Sequence, residues 1–144
     1  MAIRDMWINL PVEDMDRARN FYKSIGFTLN PHHDVSDESA CFLIGQKNFV
    51  MMLFSKTVFE SLAMASNTDT KASSEVMLSI DVASRDEVEE VYRSVENAGG
   101  IIFSGLIETD GWMYGFGFSD PDGHRWNVLH MDVEKLNQPG EMQP

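Results

Sequence analysis

The sequence predicts an α+β fold of two tandem βαβββ modules, and three observations carry the prediction. The chain repeats itself seventy positions apart: Ile8, Leu10, Val12, Asp16, Ala18, Phe21, Tyr22 and Ile25 recur as Leu78, Ile80, Val82, Asp86, Val88, Val91, Tyr92 and Val95. A gap-free repeat of this kind marks one supersecondary unit used twice. In each copy the hydrophobic period changes from two to that of a helix, and three short extended runs separated by turn residues follow.

The first strand of each copy alternates, with Met6, Ile8, Leu10 and Val12 in one and Val76, Leu78, Ile80 and Val82 in the other. That is the pattern of a half-buried strand. A helix follows, opened by Asp14 in the first copy and by Ser84 in the second, where Glu87 three residues on completes a capping box. Phe21, Tyr22 and Ile25 form one apolar stripe and Val91, Tyr92 and Val95 its counterpart. Gly26 and Gly99 then stand where helices commonly end in a left-handed residue. The helices are expected to cover the apolar faces of the strands.

The extended runs are Phe27 to Pro31, Ala40 to Ile44 and Phe49 to Ser55, then Ile101 to Ile107, Trp112 to Phe118 and His124 to Met131. Asp110-Gly111 and Asp122-Gly123 supply turns. A short helical segment is expected around Val58 to Met64, before a polar linker. The predicted organisation is one domain over 1–144: a first module at 4–64, a linker at 65–74, a second module at 75–132 and a C-terminal tail at 133–144.

A chain of 144 residues can bury about two-thirds of its unfolded surface, enough for an ordinary core. Cys41 is the single cysteine, which excludes an internal disulfide. No basic-then-apolar leader or long apolar run is present, so the expected location is cytoplasmic. With 11 Lys plus Arg against 23 Asp plus Glu, the net charge of -12 disfavours nucleic acid or an anionic membrane as partner.

The opening Leu10-Pro11-Val12-Glu13-Asp14, continuing to Phe21-Tyr22, resembles the L-x-V-x-D-x-x-x-x-x-x-F-Y opening of the vicinal oxygen chelate superfamily. That superfamily includes glyoxalase I, extradiol dioxygenases, fosfomycin-resistance enzymes and bleomycin-binding proteins. Phe118-Ser119-Asp120-Pro121-Asp122-Gly123-His124 is similar to the F-x-D-P-D-G-H segment before the family's last strand. The resemblance, with the repeat, covers residues 5–132. It implies two modules whose mixed sheets curl into a shared open cavity. In metal-using members, four side chains, two from each module, hold a divalent ion there. It also implies a homodimer, the common state of relatives.

Carried over by motif and repeat offset, the four positions fall on Trp7, Met77, Met51 and Asn127. Met51 follows from matching Val50-Met51-Met52-Leu53 to Trp126-Asn127-Val128-Leu129. Trp has no lone pair to donate and Met is a soft ligand, so Asn127 alone suits a hard cation. The expectation is therefore no metal and no cofactor. Since Ile8, Leu10 and Val12 face the helix, Trp7, Asn9 and Pro11 face the cavity, as do Met77, Ser79 and Asp81. The predicted pocket has an apolar floor of Trp7, Met51 and Met77 and a polar rim of Asn9, Ser79, Asp81 and Asn127. Trp112 and Tyr114 are placed at its mouth.

Other candidates carry less. His32-His33 with Asp34 and Asp37 reads as a solvated loop, and His124 as part of its turn; His130, alternating with Val128 and Trp126, should point away from the cavity. Met51, Met52, Met77 and Cys41 suit Cu(I) chemically, but packing is the commoner use of such residues. Asp81 is the one candidate general base, and no catalytic residue is assigned. Three classes of function remain: a metal-free protein binding a small organic ligand, an enzyme of the same superfamily with or without a metal, and an interaction domain whose cavity is filled by its own side chains.

Overall fold

The computed structural model of the chain describes residues 1–136. It divides into two compact units, Met1–Ser73 and the part from Ser74 onward. The first contains β1 (Ile8–Val12), α1 (Met15–Ser24), β2 (Thr28–Leu29), β3 (Ser39–Ile44), β4 (Phe49–Ser55) and α2 (Lys56–Ala63). The second contains β5 (Met77–Asp81), α3 (Arg85–Asn97), β6 (Ile101–Thr109), β7 (Met113–Ser119), β8 (Arg125–Met131) and α4 (Val133–Leu136). Each βαβββ element makes one mixed four-stranded sheet, ordered β1-β4-β3-β2 in one unit and β5-β8-β7-β6 in the other. The pairs β1–β4 and β5–β8 are parallel and the rest antiparallel.

Local signals explain the boundaries. Asp14 accepts from the Arg17 amide at 3.1 Å and so caps α1. Ser84 accepts from the Glu87 amide at 3.2 Å, and the Glu87 carboxylate accepts from the Ala83 amide at 2.7 Å. The Glu87 side chain thus reaches one residue beyond the cap, satisfying an amide the helix cannot. Gly26, at φ 105°, ends α1 while the Phe27 amide donates back to the Tyr22 carbonyl at 3.0 Å, a closure that only a left-handed residue permits cheaply. Asp110 and Gly111, at φ 53° and 76°, make the turn between β6 and β7, and positive φ at both central residues matches the twist of a tight hairpin.

Each core lies between one helix and one sheet face. In the first unit Tyr22 stacks on Phe27 with ring centroids 5.4 Å apart and tilts against Phe42 at 5.9 Å; Val12, Phe42, Met51 and Leu53 are fully buried beside them. In the second, Tyr92 meets the edge of Phe116 at 5.1 Å, and Phe118 stacks on Trp126 at 6.2 Å over buried Val88, Val95 and Val128. Each such side chain contributes about 1.5–3 kcal/mol by leaving water.

Three elements differ from expectation. β2 is two residues rather than Phe27 to Pro31, because Pro31 has no amide to offer a ladder and the Asn30 side chain turns the chain by accepting from the His32 amide. β6 runs on to Thr109 with register shifts between Ile102 and Ser104 and between Ser104 and Ile107, each an extra residue that re-aims the strand. Val133–Leu136 is a short helix where a tail was expected; residues 137–144 of that tail lie outside the described residues. No helix among the described residues is long and apolar enough to cross a membrane.

Candidate ligand-binding site

The sheet face turned away from α1 or α3 is where each unit has side chains to spare. In the first unit register pairing puts Asn9, Cys41 and Met52 in one row across that face, with Pro11, Ser39 and Phe54 in the next. Trp7 precedes β1 and is 55 % exposed. In the second unit the rows are Met77, Arg125 and Ser119, then Ser79, Asn127 and Gly117, then Asp81, Leu129 and Gly115. Met77 is also 55 % exposed. The expected alternation of Asn9, Ser79 and Asp81 away from the helices matches these rows.

Two predicted pocket residues lie on the other face. Met51 pairs with Ile8 and Phe42 and is 0 % exposed, packed on the α1 side. Its neighbour Met52 pairs with Asn9 as Asn127 pairs with Ser79. The match of Met51 to Asn127 was one residue out, and in a strand a slip of one exchanges the faces. Tyr114 pairs with His130 on the α3 side of β7, beneath the Arg85 guanidinium at 4.9 Å. Burial pushes its hydroxyl pKa up; Glu89 reinforces this and Arg85 opposes it. Arg85 also pairs with Glu108, which lies on the same side and whose carboxyl is held below its ordinary pKa by that bond. Trp112 sits in the β6–β7 turn, where its carbonyl accepts from the Asp132 amide at 2.7 Å. It does not line the cleft described next.

Beyond the helices, β7 carries only glycine at two successive places, and a cleft of about 200 Å³ runs along it. Ser104, Ile107 and Thr109 of β6 form one wall, Asn127 and Leu129 of β8 the other, and Met113 closes one end. Gly115 and Gly117 are required by close approach. A Cβ at Gly115 would stand 2.3 Å from the Val128 carbonyl oxygen, and one at Gly117 would stand 2.6 Å from the Phe103 ring. Asn127 is the one predicted pocket residue that lines this cleft. The period of Tyr114, Phe116 and Phe118 was the available signal: aromatic residues at every second place claim the core face and leave the glycines on the other.

His33 is tied to the Ser39 hydroxyl at 3.0 Å and His130 to the Val82 carbonyl at 3.0 Å. The buried Asp120 carboxylate accepts from the Asp122 and His124 amides at 3.0 and 2.8 Å, which closes the β7–β8 turn. These side chains hold loops and strand ends.

Comparison with known proteins places this geometry. The family described as bleomycin resistance protein-like N-terminal matches residues 4–45. A glyoxalase-related enzyme from Fulvimarina pelagi is 18 % identical, with a TM-score of 0.76 over 91 % of both chains. The fosfomycin resistance protein FosX from Mesorhizobium loti is 12 % identical, with a TM-score of 0.65 over 94 % of this chain and 99 % of its own. A hypothetical protein from S. aureus is 31 % identical, with a TM-score of 0.79 over 90 % of this chain and 95 % of its own. Its fold is that of the vicinal oxygen chelate superfamily. No curated protein matches it significantly in sequence.

Chelating members of the superfamily need four hard or borderline donors. The resemblance puts those donors at Trp7, Met77 and Asn127 and, with the register corrected, at Met52. One amide oxygen, two thioethers and an indole do not fit a hard divalent ion. Among the described residues, no three of His, Cys, Asp and Glu are grouped to hold one elsewhere.

Proposed function

We propose that this protein binds a small organic molecule on the sheet faces turned away from its helices, without a divalent ion. This reading is supported by the residues at the positions the resemblance implies for the ligands: Trp7, Met52 and Met77 offer no hard donor there, and Asn127 alone offers an oxygen. Apolar lining with a few fixed polar groups is the chemistry of a ligand pocket. In the second unit Met77, Ile107 and Leu129 supply the first and Ser79 and Asn127 the second. The net charge of -12 argues against nucleic acid as a partner. A cytoplasmic homodimer, the state common in relatives, completes the reading.

The test is thermal unfolding of metal-stripped protein with a panel of aromatic and amphipathic compounds, with and without chelator. A ligand at a hundred times its Kd stabilises by about 2.7 kcal/mol, which raises Tm by several degrees at this size. The reading predicts a shift that chelator leaves unchanged. A shift that appears only when zinc, nickel or manganese is supplied would contradict it.

A further inference from the structure

We infer that the cleft along β7 selects a neutral single-ring molecule with one carboxamide-like edge, the ring lying among Ile107, Met113 and Leu129 and the edge on Asn127. The inference rests on the small-molecule reading above and names the ligand class. No residue that lines the cleft carries a charge. The charged side chains beside it are of opposite sign: Arg125, one row beyond Asn127, and Asp81, one strand beyond Leu129. Both are outside the lining, and the Arg125 guanidinium is laid against the Phe103 ring at 4.4 Å from its centre. A carboxylate or an ammonium group entering the cleft would therefore lose water without meeting a counter-ion, a cost that a neutral group escapes.

The second bulge of β6 builds this lining. Ser104 pairs with Gly117 and Ile107 with Gly115, so three steps along β6 oppose two along β7. In a regular strand residues an odd number apart face opposite ways; the extra residue brings Ile107 and Thr109 to the face of Ser104 and leaves Glu108 on the other, paired with Arg85. A Cβ at Gly115 would also stand 2.6 Å from the Leu129 Cδ2, so Leu129 lies across the bare backbone there and gives the cleft an apolar floor. At about 200 Å³ the space exceeds the roughly 150 Å³ in which a benzene ring is held and falls short of the roughly 300–1,000 Å³ of drug-sized sites. One ring with one small substituent fits it. Asn127 stands two residues of strand from Leu129, about 7 Å, a span that a ring substituent and one hydrogen bond of about 2.9 Å cover. The Asn127 side chain is half-buried and, like those of Ser104 and Thr109, has no hydrogen-bond partner among the described residues. Its amide presents an acceptor beside a donor, which a carboxamide edge answers with a donor beside an acceptor.

The experiment titrates the full, metal-stripped chain with benzamide, with its charged analogues benzoate and benzylamine, and with toluene, following amide chemical shifts. Benzamide is expected to bind at least tenfold more tightly than either charged probe and several-fold more tightly than toluene, with shifts centred on Gly115 and Asn127. Asn127→Leu should bring benzamide down to the level of toluene. Ile107→Trp, at a position 60 % exposed where a larger side chain leaves the core untouched, should fill the cleft and abolish benzamide binding. A charged probe that equals benzamide, a preference over toluene that survives Asn127→Leu, binding that survives Ile107→Trp, shifts centred elsewhere, or no binding of benzamide would overturn the inference. A charged probe that binds as well without metal leaves the small-molecule reading standing; a requirement for added metal removes both.

Discussion

Met52 and Asn127 occupy equivalent places in the two units: Met52 is the register partner of Asn9 on β1, and Asn127 that of Ser79 on β5. Met51, one residue earlier, faces α1 and is fully buried, while Met52 is half-buried on the other face. Met51→Glu places a carboxylate in an apolar core and should cost about 3 kcal/mol or more, against about 1 kcal/mol or less for Met52→Glu. Urea titration of both variants measures this. Equal costs would mean that the register of β4 is wrong.

The two glycines of β7 differ in what surrounds them. A methyl at Gly115 meets the Val128 carbonyl oxygen and, at 3.2 Å, the Leu129 Cα, which are backbone atoms that cannot swing aside. A methyl at Gly117 first meets the Phe103 ring, the end of a side chain that is 40 % exposed. Gly115→Ala should therefore destabilise by about 3 kcal/mol, and Gly117→Ala by about 1 kcal/mol. Phe103→Ala in the Gly117→Ala background should recover most of the smaller loss, measured as a double-mutant cycle.

Tyr114 gives the protein a pH-dependent contribution at the alkaline end. Its pKa is raised in the folded state, chiefly by burial, so the fold holds this proton more tightly than the unfolded chain. The contribution is fully present below the unfolded value near 10 and is lost as pH rises through the higher folded value. Across that window the Tm of the wild type should fall more steeply than that of Tyr114→Phe. Parallel melting curves against pH would show this, and identical slopes would contradict it.

Much of the fold was legible because the helix signals are local and given twice. Asp14 and Ser84 cap helices, Gly26 and Gly99 end them, and the register between Ile8 and Leu78 ties the two copies together. The candidate site was less legible for three physical reasons. Val50-Met51-Met52-Leu53 is apolar at every place, so alternation cannot say which residues face the helix; pairing with β1 decides it. Tyr114 was readable as a core residue from its spacing to Phe116 and Phe118, but its neighbours Trp112 and Gly115 drew it toward the mouth of a pocket. Phe103 and Arg125 meet only because an extra residue in β6 opposes Gly117 on a strand far along the chain, and no local pattern encodes that meeting.

The proposed absence of a divalent ion rests on the indole and thioethers of Trp7, Met52 and Met77 at the positions the resemblance implies for the chelate. Its most direct test is elemental mass spectrometry of the purified, untagged chain after zinc, nickel, manganese, iron and copper have each been offered and the excess removed. The account predicts a metal-to-chain ratio near zero for every ion. A ratio near one for any of them would contradict it and return the chain to the chelating members of the superfamily.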